Sequence, residues 1–272
     1  MTLEPSRYDT IADGYRQWWA PVLAPAAYRL LDAVDEFARS ADRIIDIGTG
    51  TGTLALSAVR RWRSARVEAI DASSGMAAVA TREADRVLEP GDRARLDIRT
   101  GVAAALPVDD ASVDLAVSSF VFQLVPNRAA ALRDARRVLR PGGMLGFVTW
   151  LRDDRPFAPD AAFDDAIADI GLEPREYGSG SDDLESVDAT ARQLRRAGFR
   201  HVHAEPGGVE WTFDPDSYIG FLSGFDEMDL FAELDADVRR RLIHRMRARF
   251  ASLSADDFVL RLPVVFAFGR RP

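Results

Sequence analysis

Ile44-Ile45-Asp46-Ile47-Gly48-Thr49-Gly50-Thr51-Gly52-Thr53-Leu54-Ala55 is the stretch on which the reading of this chain turns. Ile44 to Ile47 has the length and β-branched content of a strand buried on both faces of a parallel sheet. Glycines at alternate positions follow, and a helical pattern then begins with Leu54, Leu56, Ala58 and Val59. Strand, glycine turn and helix bring backbone close to a ligand and point a helix N-terminus at it. Two ligands compete for such a loop. Gly50-x-Gly52-x-x-Ala55 fits the dinucleotide fingerprint, with Asp71 about 20 residues on as a ribose partner. Asp46-x-Gly48-x-Gly50-x-Gly52 instead puts a carboxylate at the strand end, where it would repel a pyrophosphate and favour a cation. With Gly48 ending the strand, Thr53 falls where a dinucleotide loop needs its third glycine. A nucleoside carrying positive charge and a ribose fits better, and S-adenosyl-L-methionine, with its sulfonium and ammonium groups, is such a ligand.

A chain of 272 residues holds one large domain or a domain with a cap, and an apolar fraction of 47% supplies its core. The net charge of −8 argues against a nucleic-acid partner, which is usually met by a basic face. Arginine is the only long basic side chain present, lysine being absent; this reads as compositional bias rather than function. The absence of cysteine excludes disulfides, thiolate metal sites and a thiol nucleophile. No apolar run approaches ~18 residues, so no membrane span is expected. The N-terminus carries Glu4, Asp9 and Asp13 and lacks an export-signal pattern. The expectation is a soluble, cytoplasmic protein, with no oligomeric state specified.

Five ordered segments resemble the class I S-adenosylmethionine-dependent methyltransferases, close to their small-molecule and quinone-methylating branch. They are Ile45 to Gly52, Ala69-Ile70-Asp71-Ala72-Ser73-Ser74-Gly75-Met76, Gly101-Val102-Ala103-Ala104-Ala105-Leu106-Pro107, Val113 to Ser119, and Leu139-Arg140-Pro141-Gly142-Gly143-Met144-Leu145. Their order and spacing match over roughly residues 40 to 150. The resemblance implies an α/β three-layer sandwich around a mostly parallel seven-stranded sheet, Rossmann-like, whose last strand is antiparallel. Helical cap insertions are added to it. The organisation expected is a helical lid at 1–40, a cofactor-binding core at 41–150, an insertion and loop at 151–190, and the end of the sheet at 191–272 with a cap at about 207–256.

Around that core, Tyr8, Ile11, Ala12, Tyr15, Trp18 and Trp19 fall at helical spacing. By spacing this is a helix docking on the core. The resemblance makes it a lid, with Tyr8 and Tyr15 offering hydroxyls to the cofactor's carboxylate. A second helix, about Pro25 to Arg39, shows a packing stripe of Tyr28, Leu31, Val34 and Phe37. Asp71 ends the second strand, Arg66 to Ile70, where a carboxylate with two acceptor oxygens suits a ribose. Ala72 follows it, and Met76 would lie near the adenine or serve as a plain core residue. The family's Gly-Asp-Ala after the third strand reads Gly101-Val102-Ala103 here, so any contact to the adenine amino group comes from backbone or another side chain. Ser119, Phe120 and Gln123 follow the fourth strand and are expected near the methionine moiety and the transferred methyl, or as helix-start residues.

The cofactor-binding set is thus Tyr8, Tyr15, Asp46, Gly48, Thr49, Gly50, Gly52, Asp71, Ala72, Met76, Val102, Ala103, Ser119 and Phe120. The acceptor set is Trp19, Gln123, Trp150, Trp211, Tyr218 and Phe221, the last three from an aromatic-rich stretch read as a helical cap, Trp211 to Phe250. Residues 175–185 read as an exposed loop. His201 and His203 share a strand face without a third ligand, so no metal site is expected. Arg239-Arg240-Arg241 through Arg249 reads as a solvated helix face, because six acids precede it. The function expected is transfer of the methyl group of S-adenosyl-L-methionine to a small apolar or aromatic acceptor. No dedicated base is identifiable; His201, His203 and His244 are weak candidates. A non-catalytic regulatory protein on the same fold and a nicotinamide-dependent oxidoreductase are the rival readings. Asp46 and the missing third glycine oppose the second.

Overall fold

A computed structural model describes residues 7–153, 155–173 and 184–272. Residues 175–183 of the predicted loop lie outside the described residues.

Helix α1 (Arg7–Gly14) runs through a π-helical turn, Tyr15–Trp19, into α2 (Ala20–Ala38). The two N-terminal helices predicted from spacing are therefore one continuous run, with Pro25 inside α2. The buried stripe of α2 is Leu23, Ala27, Leu30, Leu31, Val34 and Ala38, whereas Tyr28 is 49% exposed. Steps of three residues fall about 60° short of a full turn, so a strict three-residue stripe carries Tyr28 off the face that Leu31 and Val34 bury.

The glycine loop joins β1 (Arg43–Ile47) to α3 (Thr53–Arg61). Then come β2 (Arg66–Asp71), α4 (Ser74–Val87), α5 (Pro90–Arg93), β3 (Leu96–Thr100), β4 (Val113–Ser119), α6 (Arg128–Val138) and β5 (Leu139–Trp150). Pro141-Gly142-Gly143, predicted as a turn before a strand at Met144, is a bulge within β5: pairing steps from Val113 with Leu139 to Leu115 with Met144. Helices α7 (Ala158–Ala168) and α8 (Val187–Arg196) precede β6 (Arg200–Thr212). Between β6 and β7 (Val259–Arg270) lie α9 (Pro215–Phe221), a second π-turn (Leu222–Asp226), α10 (Met228–Glu233) and α11 (Ala236–Phe250).

The seven strands form one open sheet in the order β3-β2-β1-β4-β5-β7-β6, with β7 alone antiparallel to its neighbours. Side chains alternate between its faces. Ile44, Val67, Ala69, Leu115 and Val117 meet α2 and α3, while Ile45, Ile47, Ile70 and Ala116 join the layer of α6 and α8. Chain direction along the sheet reverses between β1 and β4, the position at which open α/β sheets bind ligands beyond their strand ends. Among the described residues no helix is long and apolar enough to cross a membrane.

Candidate active site

Three glycines shape the loop after β1. Gly48, Gly50 and Gly52 have φ of 71°, 55° and 96°, left-handed conformations that glycine reaches without steric cost. At Gly48 a Cβ would also lie 2.2 Å from a methyl of Val121, so the turn is closed to any larger residue. The loop hangs from β2: the Gly48 and Thr49 N–H groups both donate to Ile70 O, at 2.7 and 2.9 Å.

Asp46 stands beneath this loop rather than in a cavity wall. It is buried, and its Oδ2 accepts from the Thr49 hydroxyl at 2.7 Å and from Ala55 N–H at 3.1 Å. Its Oδ1 is buried with no partner among the described residues. Burial pushes the carboxyl up to about 7, against the lowering pull of those two bonds. Asp71 is pinned by Gly50 N–H at 2.7 Å on one oxygen and Ser73 N–H at 2.9 Å on the other. Burial raises its pKa as well. Each oxygen keeps acceptor capacity beyond these bonds.

A cavity of about 710 Å³ opens over the ends of β1, β2 and β4. Of the residues expected to hold the cofactor, it brings together Tyr8, Tyr15, Gly48, Gly50, Asp71, Ala72, Met76, Val102, Ala103, Ser119 and Phe120. Asp46, Thr49 and Gly52 do not line it; they form the support under the loop and the start of α3. Of the residues expected at the acceptor, Trp19, Gln123 and Trp150 line it. Trp211, Tyr218 and Phe221 do not. Trp211 lies on β6 opposite Leu260, not on a helix. Tyr218 and Phe221 pack with Phe213 into an aromatic cluster that Phe250 and Phe258 complete, and the Tyr218 hydroxyl donates to Asp160. Aromatic area in a cap is satisfied first by the cap's own core. Phe221 still reaches the site indirectly, 5.5 Å from the ring of Trp19.

Spacing did not reveal part of the wall. Val121 and Leu124-Val125-Pro126-Asn127 follow β4 directly, and the strand-end rule extended by a few residues finds them. Leu23, Leu151, Leu262 and Pro263 also line the cavity and carry no local signal, since pairing of distant strands places the last two. His201, His203 and His244 are all outside the wall. His203 pairs with Glu205 at 3.3 Å, and no cluster of three metal-ligating side chains occurs among the described residues.

The N-terminal run covers the cavity and is latched to α4. Asp9 Oδ1 accepts from Ser73 Oγ at 2.7 Å, Ser74 Oγ at 3.2 Å and Gly75 N–H at 2.8 Å. Tyr15 lies over the loop, its ring 3.8 Å from where a Cβ on Gly50 would stand. Burial raises the Tyr8 and Tyr15 phenols, so both remain protonated donors near neutrality.

The surrounding chemistry suits a cationic nucleoside. A buried carboxylate oxygen without a partner marks the end of β1, an anchored acid with spare acceptor capacity ends β2, and the loop tolerates no side chain at Gly48. Residues 45–147 match a family described as methyltransferase domain. A malonyl-[acyl-carrier protein] O-methyltransferase of Geobacter sulfurreducens is 34% identical over 236 residues, 84% of each chain. The chain belongs to the class I S-adenosylmethionine-dependent methyltransferases. A 27-O-demethylrifamycin SV methyltransferase of Amycolatopsis mediterranei is 30% identical over 212 residues, 73% of this chain and 74% of the relative. The YcgJ protein of Bacillus subtilis shares the fold, with a TM-score of 0.58 at 18% identity over 90% of this chain and 98% of that one. The protein is accordingly an enzyme that transfers the methyl group of S-adenosyl-L-methionine, and the nicotinamide reading is set aside.

Proposed function

We propose that the acceptor is a small, uncharged, apolar or aromatic molecule, and that the residues gathered around the cavity divide between cofactor and acceptor. The observation that carries this is the wall itself. Trp19, Phe120 and Trp150 cluster there, with Phe120 and Trp150 centroids 4.3 Å apart, and among the described residues no arginine or histidine lines the cavity. A carboxylate acceptor would enter that space without a counter-ion, at a large desolvation cost. The malonyl substrate in the name of the Geobacter relative is therefore not carried over.

In this reading Asp71 accepts the ribose hydroxyls and Asp46 supplies negative charge under the loop for the cofactor's cationic end. Gly48 and Gly50 let backbone approach. Tyr8 and Tyr15 donate to its carboxylate from the lid. Met76, Val102 and Ala103 border the adenine, and Ser119 and Phe120 border the methionine. The sulfonium-activated methyl supplies the reactivity when the cofactor is bound. The chain's share is alignment and exclusion of water, for which the lid and the aromatic wall suffice. Among the described residues no histidine lines the wall and its acids are Asp71 and Asp153, the latter paired with Arg155 at 2.8 Å, so the reading assigns the nucleophile no histidine base.

The test is transfer of radiolabelled methyl from S-adenosyl-L-methionine to a panel of apolar phenols and quinols, set beside polar amines and short carboxylic acids. Label extractable into organic solvent with the apolar panel is expected. Transfer confined to the carboxylic acids would refute the assignment of the acceptor.

A further inference from the structure

We propose that Gln123, held in place by Thr149, is the polar anchor of the acceptor, and that the acceptor accordingly carries a hydroxyl or carbonyl oxygen on its apolar frame. This rests on the cofactor and acceptor sharing the cavity as described above.

Gln123 follows β4, is 3% exposed and lines the cavity. Its Nε2 donates to Phe120 O at 2.8 Å. Its Oε1 accepts from the hydroxyl of Thr149, a fully buried residue on β5. A backbone carbonyl only accepts, so the nitrogen of the amide must face Phe120, and the oxygen must face Thr149. The Phe120 carbonyl thus fixes which way the amide points, and the Thr149 hydroxyl holds its other end by donating to the oxygen. One N–H of Nε2 is left over, with no partner among the described residues. Buried donors in native proteins are almost always paired, so an unpaired one in a cavity wall points to a group that completes it.

The residue it is tied to strengthens the case. Phe120 holds φ of 57°, a conformation an aromatic residue keeps only where its surroundings impose it. Those surroundings are Val148 O, which accepts the Phe120 N–H at 2.8 Å, the Gln123 amide on its carbonyl, and the ring of Trp150. The strained residue, the oriented amide and two aromatic rings therefore meet in one part of the wall. A neutral amide N–H recognises an oxygen lone pair, and among the described residues no basic side chain lines the cavity, which selects an uncharged oxygen over a carboxylate.

Equilibrium dialysis of the full chain saturated with S-adenosylhomocysteine tests this with 2-naphthol and 2-methylnaphthalene, which match in shape and differ in the oxygen. The wild type should hold 2-naphthol at least about five-fold tighter. Gln123→Met, close in volume, should erase that preference and leave 2-methylnaphthalene binding unchanged at saturating S-adenosylhomocysteine. Thr149→Val, which frees the amide to rotate, should reduce the preference about two- to five-fold, and it serves alone if the Met variant does not fold. An unchanged preference in both variants overturns the proposal. So does equal weakening of both naphthalenes, which would make Gln123 a support for Phe120 only. Failure of either naphthalene to bind the loaded protein also overturns it. Failure of S-adenosylhomocysteine itself to bind the wild type refutes the placing of the cofactor in this cavity instead.

Discussion

Asp46→Asn isolates the electrostatic cost of keeping a carboxylate under the glycine loop. Burial raises this carboxyl from 3.8 to about 7. At about 1.4 kcal/mol per pH unit, its ionised form is disfavoured in the folded chain by roughly 4 kcal/mol. The sign follows from proton counting. Between pH 3.8 and about 7 the folded chain retains a proton at Asp46 that the unfolded chain has released. The stability tied to this group is complete below pH 3.8 and is lost as pH rises through about 7. Asparagine is neutral throughout. Its Oδ1 can accept from Thr49 and Ala55, and its Nδ2 takes the place of the unpartnered oxygen, at a pH-independent cost of about 1–3 kcal/mol.

The constant offset cancels in a double difference. Urea unfolding of the ligand-free wild type and Asp46→Asn at pH 5, 6, 7 and 8 should show the variant gaining on the wild type by roughly 2–3 kcal/mol across that range. The same substitution should weaken S-adenosylhomocysteine binding at least about ten-fold, because a buried charged partner for its ammonium is removed. A stability difference that does not change with pH would refute the raised carboxyl. Unchanged affinity would refute its role as the cofactor's counter-charge, whatever the stability data say.

Three further outcomes follow from the same geometry. Asp71→Ala removes the acid that both holds Gly50 and faces the cavity, and should weaken S-adenosylhomocysteine binding by at least ~1 kcal/mol in calorimetric titration; unchanged affinity would remove Asp71 from the ribose role. Gly48→Ala forces a side chain onto φ of 71° and into Val121, and should cost about 1–3 kcal/mol in urea unfolding and abolish measurable cofactor binding; a stable, binding variant would show that the loop relaxes freely. Asp9→Ala breaks the latch on α4 and should lower stability by about 1–2 kcal/mol and cofactor affinity several-fold; a loss of stability with intact affinity would make the lid a structural helix only.

How far the sequence discloses this molecule depends on whether a feature is local. β1, the glycine loop and α3 are legible because strand composition, positive φ and helix periodicity are all written within twelve residues. The place of Asp71 in the cavity wall is legible because the cavity opens at the ends of the parallel strands. The buried face of the second helix is not, since a strict three-residue stripe drifts by about 60° per step and carries Tyr28 into solvent while Leu31 and Val34 stay buried. Leu262 and Pro263 are not legible either, because only the register of β7 against β6 carries them to the cavity. The cap aromatics mislead for a different reason. Tyr218 and Phe221 have the composition of a binding wall, yet the cap must bury a core of its own before it can lend a surface to anything else.

Trp19 shows how the two halves of the site depend on each other. It belongs to the same π-turn as Tyr15, which lies over Gly50, and its ring packs against Phe221 and Phe225 while standing 6.3 Å from Trp150. Trp18, one residue earlier, fills the space that the missing side chains of Gly220 and Gly224 leave in the cap. Tyr15 and Trp19, the proposed cover of the cofactor and wall of the acceptor pocket, thus stand at the two ends of one turn, wedged into the cap by Trp18 beside them. A turn so placed cannot open over the cofactor without also withdrawing Trp19 from the acceptor side. On the division of the cavity proposed above, the dry, apolar surroundings that methyl transfer needs exist only while this turn is in place, and the Asp9 contacts to α4, remote from any reacting atom, would then belong to the chemistry of the site.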